Sequence, residues 1–246
     1  MSSHFLILGS GRVAQHFWHY LTLLKLPARR WSRQLEKQPG AEFLSLVSEV
    51  THVLVLVNDQ AIEPLIEKAQ AVMKEASIDP SKKTWLHFSG ALQTPLAFGC
   101  HPLMTFPADA KYTLETYQRI PFVIDQGAPD SNKLLPGLPN VTYRIDPKKR
   151  ALYHALCVMS GNFSAMLWQK FFATLEKDLL IPPKAGLPYF EAITENIKRN
   201  PNTAVTGPLT RGDHKTLDKN LSALRDDPFE PVFRAFIEAY QRGSKP

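Results

Sequence analysis

The 246-residue sequence predicts an α/β fold, with a parallel sheet covered by helices in its N-terminal part and an all-helical C-terminal part. Three observations carry this expectation. Short apolar runs alternate with amphipathic helical patterns through the first 100 residues, as in βαβ units. Eight of the 20 prolines crowd between Pro95 and Pro147, where strands must be short and interrupted. Beyond Asp146 the apolar spacing is helical throughout.

The elements follow in order. Residues 4–8 form an apolar strand that ends in Gly-Ser-Gly, and residues 12–24 place Val13, Phe17, Tyr20, Leu21 and Leu24 at helical spacing. A short second strand is expected at 28–32 and a small helix at 41–48. Residues 52–57, His-Val-Leu-Val-Leu-Val, read as a strand buried on both faces. Residues 60–76 set Ile62, Leu65, Ile66, Ala69 and Met73 on one side of a helix, and 84–88 form a strand before Ser89-Gly90. In the proline-rich middle, 97–100, 122–125 and 141–144 are strand candidates, expected at sheet edges because proline cannot donate to a ladder. Asp146 is an N-cap with Pro147 at the first helical position. Leu152, Leu156, Met159, Phe163, Met166, Leu167, Phe171, Leu175 and Leu179 then recur at three- and four-residue steps. They predict one helix of about 30 residues, ~45 Å long. Helices at 183–198, about 214–224 and 228–240 complete the chain, so a domain boundary is expected at 146, separating 1–146 from 147–246.

Composition narrows the function classes. Hydrophobic residues at 44% and charged residues at 21% fit a globular protein. No apolar run approaches the ~18 residues of a spanning helix, and the N-terminus lacks a signal-peptide pattern, so neither a membrane nor export is expected. Cys100 and Cys157 are far apart and lack ligand spacing, which argues against a disulfide framework or a metal site and for a cytoplasmic protein. The net charge is +6, and Arg12, Lys25, Arg29, Arg30 and Arg33 precede the first acid, Glu36. The excess therefore gathers around one glycine-rich turn. It is short and lacks interleaved aromatics on a helix face, so nucleic acid is not the expected partner.

That turn is Gly9-Ser10-Gly11-Arg12-Val13-Ala14, between a strand and a helix. Gly9 permits the tight turn, Gly11 lets the backbone approach a pyrophosphate at the helix N-terminus, and Ala14 allows close helix–strand packing. The sheet is therefore expected to be Rossmann-type, doubly wound, and 1–146 a dinucleotide-binding domain. An NAD site places Asp or Glu at the end of the second strand. Here Ser32 and Arg33 stand there, after Arg29 and Arg30. A guanidinium fork suits a 2′-phosphate, so the expected cofactor is NADP.

Ligands in such sheets bind outside the carboxyl ends of strands. Asn58 and Asp59, Ser89, and His101 occupy those positions. Asn58, Asp59 and Ser89 are expected along the cofactor, with Asp59 also able to cap the following helix. His101 is the one that exchanges protons near neutral pH and is the candidate proton donor. On the long helix Asn162 flanks the apolar stripe near Ala151, Ala155, Val158 and Ala165. As a buried amide it would orient substrate or tie down a neighbouring backbone. Thr206, Arg211 and Asp213 lie in the densest polar motif of the helical part. They are candidate substrate-binding residues, Thr206 and Arg211 for an anionic group, with Asp213 also capping the next helix.

Together, Gly9-x-Gly11-x-x-Ala14, Ser89-Gly90, His101-Pro102-Leu103-x-x-Phe106, Gly161-Asn162-Phe163 and Thr206-Gly-Pro-Leu-x-Arg211-Gly212-Asp213 resemble a known group. It comprises Rossmann-like proteins with an uncharacterised helical C-terminal domain. These are related in architecture to pyrroline-carboxylate reductase, ketopantoate reductase and the 6-phosphogluconate and β-hydroxyacid dehydrogenases. The resemblance spans nearly the whole chain. It implies an NADP-binding N-terminal domain, a helical C-terminal domain that often mediates dimerisation, and a cleft between them; it implies no substrate. Two departures stand out: Val57-Asn58-Asp59 where the group suggests Val-Pro-Asp, and Asn220 where it suggests a histidine. Asparagine cannot replace a proton-donating histidine.

The expectation is an NADP-dependent oxidoreductase acting on a small carbonyl, imine or hydroxyacid-type substrate, with His101 and Asn162 catalytic. The alternative is a non-catalytic NADP(H)-binding sensor or scaffold. A homodimer through the long helix is expected, because its apolar residues cover more than one small domain needs.

Overall fold

The structure, a computed structural model, describes residues 4–243. Seven strands form one sheet: β1 (Phe5–Leu8), β2 (Ala28–Trp31), β3 (His52–Val55), β4 (Thr84–His87), β5 (Phe98–Pro102), β6 (Phe122–Asp125) and β7 (Thr142–Ile145). Their order is β2-β1-β3-β4-β5-β6-β7. The first five are parallel, β6 is antiparallel to β5, and β7 is parallel to β6. This is the predicted α/β class, a doubly wound sheet followed by helices.

The side-chain alternation of β1 shows why both faces need cover. Phe5 and Ile7 pack with Leu54, Leu56, Leu86 and Phe88 against Ala14, Phe17 and Leu21 of α1 (Arg12–Leu23). Leu6 and Leu8 point the other way. They pack with Val53 and Val55 against α2 (Ala41–Ser48) and α3 (Asp59–Glu75) through Phe43, Val47, Ile62, Ile66, Ala69 and Met73. Each fully buried valine, leucine, isoleucine, phenylalanine or methionine among these contributes about 1.5–3 kcal/mol of transfer free energy.

The proline-rich middle departs from its expected place. Only β7 lies at an edge; β5 and β6 are interior. The prolines do not interrupt the ladder because they sit at strand ends. Pro102 is the last residue of β5, and Pro121 immediately precedes β6. Two short helices, α4 (Leu114–Gln118) and α5 (Ser131–Leu134), fill the connections.

Asp146 accepts from the Lys148 amide and caps a single 3₁₀ turn, Pro147–Lys149, rather than the long helix itself. Helix α6 (Arg150–Cys157) then passes through a π-helical segment, Val158–Phe163, into α7 (Ser164–Lys177). The chain divides into two compact units between Met166 and Leu167, inside this helical stretch. The first turns of α6 belong with the sheet because Arg150 is fully buried among sheet residues.

The second unit holds the rest of α7 and α8 (Leu187–Arg199), α9 (Pro208–Arg211), α10 (His214–Ala223) and α11 (Glu230–Gly243). Trp168 packs edge-on against Phe190 at 4.8 Å, and a Cβ at Gly186 would crowd Phe171, Phe172 and Leu175. Lys170 pairs with Asp227 at 2.5 Å. Among its described residues only Leu175, Gly186 and Leu217 are buried. Among all described residues, no helix is long and apolar enough to cross a membrane.

Candidate functional site

The carboxyl ends of β1, β2, β3 and β4 open onto a cleft of about 600 Å³, within the range of ligand sites. Gly9, Ser10, Gly11, Arg12, Val13, Ser32, Arg33, Asn58, Asp59 and Ser89 all line it. The sequence-predicted cofactor residues are thus brought to one place.

The glycines differ in what requires them. Gly9 has φ +135°, and a Cβ there would overlap the Leu56 carbonyl. Its amide donates to the Trp31 carbonyl at 2.9 Å, tying the turn to β2. Gly11 caps α1 with extended backbone, and a Cβ there would meet nothing within 4 Å. The first turn of α1 carries no acidic side chain. Open space in front of unpaired helix amides is what a pyrophosphate requires.

The basic cluster sorts itself. Arg29 pairs with Glu49 at 3.6 Å, and Arg30 stacks over Trp18 at 5.3 Å. Arg33 and Ser32 remain in the cleft lining, with the Ser32 hydroxyl accepting from the Gln34 amide at 3.4 Å. Glu36, the first acid, faces elsewhere: its Oε2 accepts from Gly40 and Phe43 amides and from Trp31 Nε1 at 2.9, 3.2 and 3.3 Å. It therefore does not take the place of the ribose-binding acid of an NAD site.

Asn58, not Asp59, is the N-cap residue of α3. Asp59 instead accepts the Ser89 hydroxyl at 2.6 Å, while that hydroxyl accepts from the Ala91 and Leu92 amides at 3.2 and 3.0 Å. The bond joins the segments that follow β3 and β4 and forms part of the cleft wall.

His101 lies on β5 with Nδ1 2.8 Å from the Tyr153 hydroxyl. Burial, then the nearby His154 and Arg150, lowers its pKa to about 4. It is therefore neutral near pH 7, unlike the freely titrating imidazole expected from sequence. Burial first, and then Cys157, pushes the Tyr153 phenol up. His87, fully buried on β4, has neither ring nitrogen partnered, and burial chiefly lowers its pKa to about 4.

The long helix presents the opposite face from the one its pattern suggests. Arg150, Tyr153, His154 and Cys157, at i, i+3, i+4 and i+7, form the buried or half-buried side. The apolar stripe faces outward, with Leu152 63%, Met159 56% and Phe163 50% exposed. Asn162 is exposed in the π segment, so the reading of it as a buried amide does not hold. The extra residue per turn there shifts every later side chain around the helix axis. The polar spacing 150-153-154-157 was the signal for Tyr153 and Arg150 that the apolar stripe overshadowed.

Thr206, Arg211 and Asp213 belong to the second unit and are not among the residues lining the cleft. Asp213 caps α10, accepting from the Thr216 hydroxyl at 2.7 Å and its amide at 3.1 Å, which hold its carboxyl below the usual carboxylate range. Thr206 and Arg211 are exposed, on either side of Gly207 at φ +87° and just before Gly212 at φ +65°. Asn220 is exposed on α10. Among the described residues no cluster of His, Cys, Asp or Glu could hold a metal ion.

Comparison with known proteins bears on this geometry. Residues 124–240 match the family model described as a domain of unknown function, DUF2520. No curated protein matches the chain. A Bacteroides fragilis protein provisionally named an NADP oxidoreductase is similar in structure, with TM-score 0.76 and 19% identity over 98% of both chains. A reductive aminase from Aspergillus terreus, in complex with NADPH and ethyl levulinate, superposes with TM-score 0.60 and 13% identity over 99% of this chain and 95% of that one. Pyrroline carboxylate reductase from Plasmodium falciparum, with NADP bound, gives TM-score 0.55 and 10% identity over 99% and 98%. The chain shares the fold of these structures, a Rossmann-like sheet followed by a helical C-terminal region, and most of that region matches the DUF2520 model.

Proposed function

We propose that the chain is an NADP(H)-dependent oxidoreductase acting on a small carbonyl, imine or hydroxyacid-type compound. One observation carries the reading: a single cleft combines the open Gly11 helix terminus with Ser32 and Arg33, while Glu36 is turned away into the α2 cap. The α1 amides and Gly11 would hold the pyrophosphate, and Arg33 and Ser32 the 2′-phosphate. Asn58, Asp59 and Ser89 would border the nicotinamide half. Bound NADPH supplies hydride chemistry; the chain supplies orientation, exclusion of water and a proton. Similarity in fold to proteins solved with NADP or NADPH supports the reading.

Titration by fluorescence with NADPH and NADH tests it. The expected result is NADPH binding at least about tenfold tighter, one charge-assisted contact being worth about 1.5–3 kcal/mol. Equal or tighter NADH binding removes the assignment. We also propose a homodimer whose interface includes the outward apolar stripe of the long helix. Leu152, Leu156, Met159, Phe163 and Met166 are each more than half or about half exposed, an apolar surface that a second copy with the same stripe would match. Sedimentation at micromolar concentration should show a dimer; a monomer contradicts it.

A further inference from the structure

Helix α6 seats its polar face on the sheet next to Ser89, at the border of the cleft rather than in its lining. Arg150 donates to the Ser89 carbonyl at 3.3 Å, and Ser89 lines the cleft. The next residue, Gly90, has no Cβ, and one would overlap the His154 ring. His154 in turn lies edge-on to His101 at 5.6 Å. One turn of α6 thus carries Tyr153 to the carboxyl edge of the sheet, where its hydroxyl meets His101 Nδ1 at 2.8 Å. Asp59, another cleft-lining residue, is among the charges that act on His101.

Two other histidines show what is unusual about this pair. His16 must donate from Nε2 to the Pro107 carbonyl, so its Nδ1 accepts from the Tyr117 hydroxyl. His52 likewise donates from Nε2 to the Lys133 carbonyl and accepts from Thr51. Both tautomers are fixed by structure. Among the described residues no carbonyl fixes Nε2 of His101, so its Nδ1 can donate to the tyrosine oxygen. The tyrosine proton is then turned away from His101, to the side where Cys157 is its protein partner and a bound ligand would compete for it.

We propose that Tyr153 is the proton donor to the substrate and that His101 is a positioning residue that orients Tyr153 and returns its proton. This rests on the NADPH reading above. As the substrate carbon gains hydride, the electron pair of its C=O or C=N bond moves to the heteroatom, which takes the Tyr153 hydroxyl proton. The phenolate takes the Nδ1 proton of His101, Nε2 takes one from water, whose hydroxide the solvent buffer neutralises, and proton exchange with solvent then restores the Nδ1–H tautomer before the next turnover. Neutral imidazole is sufficient for this relay, because it hands on one proton and gains another at its opposite nitrogen. His154, Arg150 and Asp59 face His101, and Cys157 faces Tyr153.

The test uses the full chain with NADPH and three probes: ethyl levulinate, cyclohexanone and a five-membered cyclic imine. Tyr153→Phe should bind NADPH within about twofold of the parent and lose at least about a hundredfold in kcat, the lower range for general acid catalysis. His101→Asn, whose amide can donate from the Nδ1 position, should keep more activity than His101→Leu. Nitrogen NMR of the parent–NADPH complex should show His101 protonated at Nδ1 and no titration near pH 6.5. A parent that binds no NADPH overturns the cofactor reading and this proposal together. A parent that binds NADPH but reduces no probe, or a Tyr153→Phe variant within about threefold in kcat, overturns this proposal alone. An Nε2-protonated His101 in the complex also overturns it, and does so without any variant.

Discussion

Arg150 Nε donates to Asp125 Oδ1 at 2.5 Å with the arginine side chain fully buried. The other carboxylate oxygen accepts the Gly99 amide at 2.5 Å, and the remaining guanidinium nitrogens reach the Ser89 and Val123 carbonyls at 3.3 and 3.4 Å. Gly99 makes this possible, since a Cβ there would overlap the guanidinium. The pair joins α6 to the ends of β4, β5 and β6.

Breaking one side of such a pair strands a buried charge. Arg150→Met should cost about 3–5 kcal/mol in urea unfolding. The double variant with Asp125→Leu removes both charges and should recover a large part of that loss. A double variant as unstable as the sum of the singles would show that the two groups act independently.

Gly9 and Gly11 should fail differently. Gly9→Ala places a Cβ against the Leu56 carbonyl at positive φ, and should lower Tm and cofactor binding together. Gly11→Ala meets no protein atom, so Tm should hold while NADPH affinity falls more than about tenfold, the Cβ taking pyrophosphate space. Unchanged NADPH affinity in Gly11→Ala would remove the pyrophosphate from that terminus.

Arg33→Ala should weaken NADPH by about ten- to a hundredfold and leave NADH nearly unchanged, because only the 2′-phosphate needs the guanidinium. Arg30→Ala, whose partner is Trp18, should leave the ratio unaltered. Isothermal titration with both cofactors reads the difference.

The residues that make the cleft were legible because their roles are backbone roles. Glycines between a strand and a helix, and the absence of an acid after β2, are local patterns, and all ten expected cofactor residues line one cleft. The residues of α6 that pack against His101 and Asp125 were less legible. Tyr153 and Arg150 are 52 and 25 residues from the partners that define them, His101 and Asp125. Their helix carries a strong apolar stripe that ordinarily marks the core side. Here the stripe is exposed and the polar side packs on the sheet. Amphipathicity told that two faces exist but not which one the sheet takes. Asn162 was misplaced for a related reason: an ideal wheel does not describe a π-helical turn.

His87 predicts a specific acid sensitivity. Both its ring nitrogens are buried without a partner, and burial chiefly lowers its pKa from 6.5 to about 4. The unfolded chain therefore binds a proton that the folded chain refuses between those two values. Folding stability should be complete above pH 6.5 and fall as pH drops toward 4, with a slope of up to about 1.4 kcal/mol per pH unit for each such group. His101 adds a contribution of the same sign. His87→Leu removes the titrating group and two unsatisfied nitrogens, so it should be at least as stable as the parent at pH 7. It should also lose less stability between pH 6.5 and 4.5, measured by urea unfolding at each pH. An identical pH slope in the variant would show that His87 is protonated without penalty in the folded protein, and that its burial does not govern acid unfolding.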